Sequence, residues 1–439
     1  MKFSPQAEKA LELMRDSSKN IFVTGKAGTG KSTLLEHFRM FVERKIVVLA
    51  PTGVAAINVR GETIHSFFKL KPGFELDEAT NSRINDKDQK KYCRLNTILI
   101  DEISMVRADL LDAIDVFLRR ARKDERPFGG VQVIFFGDLY QLPPVVTSVD
   151  KERFFADYES PYFFDSKVCR GGYDLLAQPL KLECIELEKI YRQKDKKFIN
   201  LLNAVRNNSM TDKCLDTLNA RVDPDFIPET EDGYIHLMCT NADADRINHR
   251  ELAKISKPEI EFNAQITGKI AKNLRPNDQK VMVKVGAQVM FINNDSKRRW
   301  VNGSLGVVRS VTERYNDETD LMETVIIVRV HDGELVDVTE HTWDISKYKF
   351  QDGGFVREQI GSFIQMPLKL AWAITIHKSQ GKTFERAVID LGWGSFAHGQ
   401  TYVALSRCTS LEGLVLRKTL RARDVIVDRK VMEFSERVD

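Results

Sequence analysis

The chain has 439 residues, of which 42% are hydrophobic and 29% charged. That is enough apolar material for roughly two to four buried cores, and it excludes a disordered, collagen-like or coiled-coil chain. Lys and Arg number 66 against 63 Asp and Glu, a net charge of +3, so any nucleic-acid binding must come from a local groove and not from bulk positive charge. No apolar run approaches the roughly 18 residues of a membrane span. None of the six cysteines is spaced as CxxC, and the eight histidines form no ligand cluster. The expectation is a cytoplasmic chain with free thiols and no membrane association.

In chain order, the first elements are short and strongly apolar. Asn20–Thr24, Ile46–Ala50, Thr97–Asp101 and Val131–Gly137 are rich in β-branched and aromatic residues and do not alternate, which predicts parallel strands buried on both faces. After the first of them, Leu34, Leu35, Phe38, Phe41 and Val42 recur on one face of a helix. Strand–helix alternation predicts an α/β domain over 1–181. A second α/β domain is expected over 182–293 and 367–439, with His236–Thr240 and Ala387–Leu391 as strands. Between its halves, Ser304–Val311, Thr324–Val330, Glu334–Glu340 and Phe355–Phe363 are separated by Gly, Asn and Asp turns, which predicts a small antiparallel barrel inserted at 294–366.

Gly25–Ser32 reads GKAGTGKS, a P-loop between a predicted strand and helix. Gly25, Gly28 and Gly30 permit a loop whose amides, including those of Ala27 and Thr29, point at phosphate oxygens. The helix dipole beginning at Lys31, Ser32 and Thr33 adds positive potential. Lys31 is expected on the β- and γ-phosphates of a bound nucleotide, and Ser32 on Mg²⁺. The strand Thr97–Asp101 delivers Asp101 and Glu102 at its carboxyl end. Asp101 is expected in the Mg²⁺ shell, and Glu102 as the base that accepts a proton from attacking water. Two readings stand for Gln141 in GDLYQLPPV: a sensor of the γ-phosphate or its water, and a polar turn held by Pro143 and Pro144.

The ordered set GKAGTGKST, APTGVAA (Ala50–Ala56), IDEISM, GDLYQLPPV, YRQ (Tyr191–Gln193), AWAITIHKSQGKTF (Ala371–Phe384) and YVALSRC (Tyr402–Cys408) resembles superfamily-one helicases. With Ala108–Phe128 in the position of a signature element, and with PFGGVQVIFFGDLYQLPPV after it, the chain is similar to the Pif family of 5′→3′ DNA helicases. The resemblance implies two RecA-like motor domains with ATP in the cleft between them. It makes the inserted barrel SH3-like and 64–76 a small subdomain carrying a strand-separating wedge.

It also implies roles. Arg192 and Arg407 would be arginine fingers, Gln380 and Gly381 would meet the phosphate, and Gln6 would read the adenine edge. A motor on single-stranded DNA holds backbone through hydroxyls, amides and a few cations, with aromatics for stacking. Thr52 and Gly53, with Thr240 and Asn241, fit phosphate contacts, and Thr375, His377 and Lys378 lie beside them in the family pattern. His377 and Lys378 are open to either phosphate or DNA. His65, Phe67 and Phe68 are candidates for base stacking or the wedge, and core packing is the equal alternative for the two Phe. Lys297–Trp300 is a basic-aromatic cluster, read either as a DNA grip or as a solvated face.

The implied activity is ATP-dependent, 5′→3′ unwinding of duplex DNA, extending to G-quadruplex DNA and RNA–DNA hybrids, by a monomer serving repair, replication or recombination. The alternatives are a RecD-type helicase and a single-strand translocase that displaces proteins. A P-loop kinase or GTPase switch needs neither the second motor half nor ALSRC, and no NKxD occurs.

Overall fold

The computed structural model describes residues 3–16, 18–42, 45–70, 84–171, 179–317, 320–331, 333–351, 354–392 and 394–438. They divide into two compact units, Met1–Tyr191 with Ser346–Ile360 and Asp428–Asp439, and Arg192–Ile345 with Gly361–Val427.

The first unit is built on six parallel strands: β1 (Asn20–Gly25), β2 (Ile46–Ala50), β3 (Glu62–Thr63), β4 (Thr97–Ile100), β5 (Gln132–Phe136) and β6 (Leu182–Leu187). Their order is β3-β2-β4-β5-β1-β6. Successive side chains of β1 leave on opposite faces. Ile21 and Val23 meet helices α1 (Pro5–Arg15) and α2 (Lys31–Phe41), through Ala10, Leu11, Leu34, Leu35 and Phe38. Phe22 joins the other core. The Ser4 hydroxyl starts α1 by accepting from the Ala7 amide at 3.3 Å, with Pro5 at the first helical position. Two short helices follow β2 and β3, α3 (Gly53–Asn58) and α4 (Ile64–Phe68).

The signature segment forms α5 (Ala108–Arg122), and its two inward carboxylates act as staples. Asp112 accepts from the amides of Lys167 and Val168 at 2.8 and 2.9 Å and from the Tyr158 hydroxyl at 2.8 Å. Asp115 accepts from the Phe128 amide at 2.5 Å and pairs with Arg119 at 2.8 Å.

Four expectations are corrected here. Leu182–Leu187 does not open the second domain: all six residues pair with β1, and the alternating exposure of β6 is that of an edge strand. The C-terminal helix Arg429–Val438 packs on the first unit, with Phe434 stacked on Phe164 at 4.4 Å. Residues 346–360 do so too, where Tyr348 accepts from the Val48 amide at 3.2 Å and donates its own amide to Glu62 at 2.8 Å. The β-rich insertion is also longer than 294–366, running from Ile260 to Leu370.

The second unit holds a four-stranded parallel sheet in the order Ala373–Thr375, Ile235–Met238, Ala387–Asp390, Leu414–Leu416. Its antiparallel part has five strands, in the order Leu335–Val338, Leu321–Val330, Leu305–Asn316, Gln288–Phe291, Leu368–Leu370. Also in the second unit, Gly361–Ile364 pair antiparallel with Gln265–Gly268. Trp300 is part of this core, stacked on Phe291 at 4.6 Å, and Arg299 is paired with Asp295 at 2.8 Å. Of the basic-aromatic cluster, only Lys297 and Arg298 are left exposed.

Candidate nucleotide and DNA sites

The P-loop closes between β1 and α2. Gly25 has φ 148°, and a Cβ there would lie 2.6 Å from the Leu187 carbonyl on β6. Gly30 caps α2 at φ 86° without a side chain. Both positions therefore require glycine. Thr29 shapes the loop from inside, its amide and hydroxyl both donating to the Lys26 carbonyl at 3.3 and 2.9 Å. Lys31 Nζ donates to the carbonyls of Gly25 at 2.5 Å and Lys26 at 3.1 Å. Ala27 is buried, Gly28 accepts from the Tyr191 amide at 2.8 Å, and Ser32 and Thr33 are exposed on the first turn of α2.

β4 and β5 lie beside β1, so their carboxyl ends share the P-loop edge of the sheet. Asp101 is buried at the end of β4, and burial and then Glu102 raise its carboxyl pKa against the opposing pull of Lys31. Glu102 stands at φ 51°, a left-handed conformation that costs a non-glycine residue about 1 kcal/mol and recurs at functional sites. After β5, Gln141 is buried and its amide donates to Asp138 at 3.2 Å. This bond joins the two readings of Gln141: it is part of a structured turn and stands at the strand end. Gln6 Nε2 donates to Glu188 at 2.9 Å on the same unit.

Among the described residues, no group of three or more His, Cys, Asp or Glu could hold a metal ion. Ser32 and Asp101 nevertheless fit a Mg²⁺ that draws its other oxygens from phosphate and water. A cation would also relieve the unfavourable charge on buried Asp101.

The DNA candidates take matching positions in both units. Thr52 follows β2 and caps α3, its hydroxyl accepting from the Ala55 amide at 3.2 Å. Thr240 follows Ile235–Met238 and caps Asn241–Lys254, accepting from the Asp243 amide at 3.2 Å. Thr52, Thr240 and Asn241 are exposed and Gly53 is half-buried. Beside them in the second unit, Thr375 ends the neighbouring strand and accepts from the Lys378 amide at 3.3 Å. Lys378 is exposed, while burial lowers the pKa of half-buried His377.

Phe67 and Phe68 are corrected to core. Each is 1% exposed; Phe68 stacks on Tyr92 at 5.8 Å and meets Phe117 at 5.6 Å. Neither is presented to a base. His65 on the same helix is half-buried, and burial lowers its pKa. The rest of the wedge, 71–76, lies outside the described residues.

The motifs of the second unit converge on one knot. Arg192 donates to the Ser406 carbonyl at 3.3 Å, and Gln193 donates to the carbonyls of Ser406 and Cys408 at 3.1 and 3.0 Å. Arg407, 1% exposed, donates to the carbonyls of Val403 at 2.9 Å, Lys382 at 3.4 Å and Ser379 at 3.5 Å. YRQ, HKSQG and ALSRC are thus tied through main-chain oxygens, with Gln380 half-buried and Gly381 exposed beside them. The sequence assigns Glu188 and Asp138 no role in the site, and it offers Gln193 only as the last residue of YRQ.

A profile for PIF1-like helicases matches residues 7–215. The ATP-dependent DNA helicase Pif1 of Bdellovibrio bacteriovorus is 34% identical, over 99% of this chain and 92% of that protein. The crystal structure of Bacteroides sp. Pif1 in complex with ADP-AlF4 superposes with a TM-score of 0.88 at 36% identity, covering 100% of this chain and 97% of the other. Bacteroides Pif1 bound to ssDNA superposes at 0.67, with 36% identity and the same coverage.

Proposed function

The chain belongs to the PIF1-like helicase family, and from that membership we infer that it is an ATP-dependent DNA helicase moving 5′→3′ on single-stranded DNA. The observation that carries the reading is the shared sheet edge of the first unit, where the P-loop, Asp101–Glu102 and Gln141 end three adjacent strands.

Lys31 exchanges its two loop carbonyls for the β- and γ-phosphates, and the amides of α2 neutralise phosphate charge. Glu102 takes the proton of the attacking water, and Gln141 orients that water from the Asp138 turn. Ser32 and Asp101 would hold Mg²⁺, which neutralises charge on the phosphates. Arg192 and Arg407 supply the finger charge, an effect of about 10³–10⁵ in rate. Gln6 reads adenine, and Gln380 and Gly381 report phosphate. Thr52, Gly53, Thr240, Asn241, Thr375, His377 and Lys378 hold the DNA backbone.

The antiparallel part of the second unit is read as the SH3-like domain of the family. Through the same resemblance the reading extends to G-quadruplex DNA and RNA–DNA hybrids, and to repair, replication or recombination. A cytoplasmic placement follows the bacterial relatives, and a monomer follows from both motor halves lying in one chain.

A fork assay tests the reading. A duplex with a 5′ tail is unwound and one with a 3′ tail is not; the reverse preference would overturn the polarity. Lys31→Ala is expected to lower DNA-stimulated ATPase and unwinding together, by more than about 100-fold. Unwinding that survived would remove the site from the mechanism.

A further inference from the structure

Lys382 ends the turn that carries Gln380 and Gly381, and none of the roles above uses its side chain. The turn closes on itself, the Lys382 amide donating to the Ser379 carbonyl at 2.9 Å. Gly381 stands at its third position at φ 78°, a left-handed conformation that favours glycine. Both ends of this turn hold the Arg407 guanidinium, because Nη1 donates to the carbonyls of Ser379 and Lys382 at 3.5 and 3.4 Å. Nε donates to the Val403 carbonyl at 2.9 Å and Nη2 to the Ser406 hydroxyl at 2.8 Å. A turn that moves therefore releases one of the nitrogens that aim Arg407.

The side chain of Lys382 fixes that turn from a distant part of the same unit. Its Nζ donates to Asn302 Oδ1, 80 residues away in the chain. Asn302 lies in the loop between the strands Gln288–Phe291 and Leu305–Asn316, and the loop is tied down at that point. The Asn302 amide donates to Asn294 Oδ1 at 2.8 Å, and the Gly303 amide to the Phe291 carbonyl at 2.8 Å. Gly303, at φ 104°, runs against the lysine stem, and a Cβ there would lie 3.3 Å from Lys382 Cβ. The ammonium thus meets a neutral amide oxygen, and burial and then Lys369 lower its pKa to about 8. Taking a cation partly out of water is costly, and an apolar chain of similar length would fill the space at lower cost. Stability gives no reason for a lysine here. Direction does, because the amine selects one oxygen on a fixed loop.

We propose that Lys382 is a positioning residue for ATP hydrolysis: anchored on Asn302, it sets the Ser379–Lys382 turn, and the turn sets Arg407. The proposal rests on the reading of Arg407 as an arginine finger. Lys382 acts through that arginine and touches neither the nucleotide nor the attacking water.

The test is the DNA-stimulated ATPase of the full chain with saturating oligo-dT. Lys382→Met lowers kcat about tenfold and leaves the KM for ATP within about twofold of wild type. Its urea unfolding midpoint stays at or above that of wild type, because a half-buried charge has been removed. Asn302→Leu lowers kcat as far as Lys382→Met does. Asn302→Asp, which keeps an oxygen for the amine, stays within about twofold of wild type. The double variant Lys382→Met/Asn302→Leu is no slower than either single variant, since each removes the same contact. Should Asn302→Leu fail to fold, Asn302→Ser, too short to reach the amine, takes its place. Full kcat in Lys382→Met, a change in KM alone, or effects at the two positions that multiply would overturn the proposal. A kcat that falls only together with the unfolding midpoint makes the lysine structural and overturns it as well. A wild-type chain without DNA-stimulated ATPase overturns the helicase reading instead.

Discussion

Phe68 shows how an aromatic in a wedge-like segment becomes core. Its ring lies among Tyr92, Phe117 and Phe67, and Tyr92 closes the arrangement by donating its hydroxyl to the Phe67 carbonyl at 2.8 Å. Phe68→Ala should therefore destabilise the protein by about 3–5 kcal/mol, read from urea unfolding. Phe68→Leu should keep most stability and unwind at near-normal rate. Normal stability with lost unwinding in either variant would restore a DNA-facing role. His236 makes a second prediction. Burial, then Arg417 and Arg250, hold its imidazole down at about 4. The unfolded value is about 6.5. Because the folded pKa is depressed, the stability from keeping the ring neutral is complete above about 6.5 and is lost as pH falls through about 4. The loss is about 3 kcal/mol, visible as a steeper fall in unfolding free energy for wild type than for His236→Leu between those two pH values.

Elements carry information that single residues do not. The knot of Arg192, Gln193, Ser406 and Arg407 makes Gln193 a positioning residue, because its two bonds hold the carbonyls on either side of Arg407. Gln193→Leu should lower the kcat of DNA-stimulated ATPase about 10- to 100-fold with little change in the KM for ATP. A change in KM alone would mean that Gln193 acts on nucleotide binding and not on the placement of Arg192 and Arg407. Buried parallel strands were the most legible elements: Ile46–Ala50 coincides with β2, and the strands leading to Gly25 and Asp101 fall within a residue of their expected ends. Continuous apolar character marks a strand covered on both faces, and the P-loop and acidic pair follow from where such strands end. Illegible elements were those whose place depends on distant partners. β6 alternates because it is an edge strand, and nothing local says which sheet it joins. Phe434 and Tyr348 find the first unit only through rings and amides more than 200 residues away, beyond the reach of any periodicity. Phe67 and Phe68 were ambiguous because an aromatic has the same pattern whether it stacks on a base or on Tyr92.

At the scale of the whole molecule, the net charge of +3 and the chemistry of the DNA candidates point the same way. Thr52, Thr240 and Thr375 are neutral and serve as helix caps and strand-end acceptors, so contacts through them displace no counterion. His65 and His377 are kept toward the neutral form by burial. That leaves exposed Lys378 as the lysine of the set. Counterion release on a single strand gives a slope of log K against log salt of roughly −0.7 per neutralised phosphate. A track built this way should show a shallow slope, about −0.7 for the single cation of the set, in place of the steep dependence of a strongly basic protein. The measurement is fluorescence anisotropy of labelled oligo-dT between 50 and 300 mM salt, on the order of the range where such slopes are linear. Lys378→Ala should bring the slope close to zero, a change of about 0.7, whereas Thr52→Val should weaken binding at every salt concentration and leave the slope unchanged. A wild-type slope implying a dozen contacts would place the grip on lysines and arginines outside the motifs. A shallow slope is what a motor needs when it must release its track in every cycle.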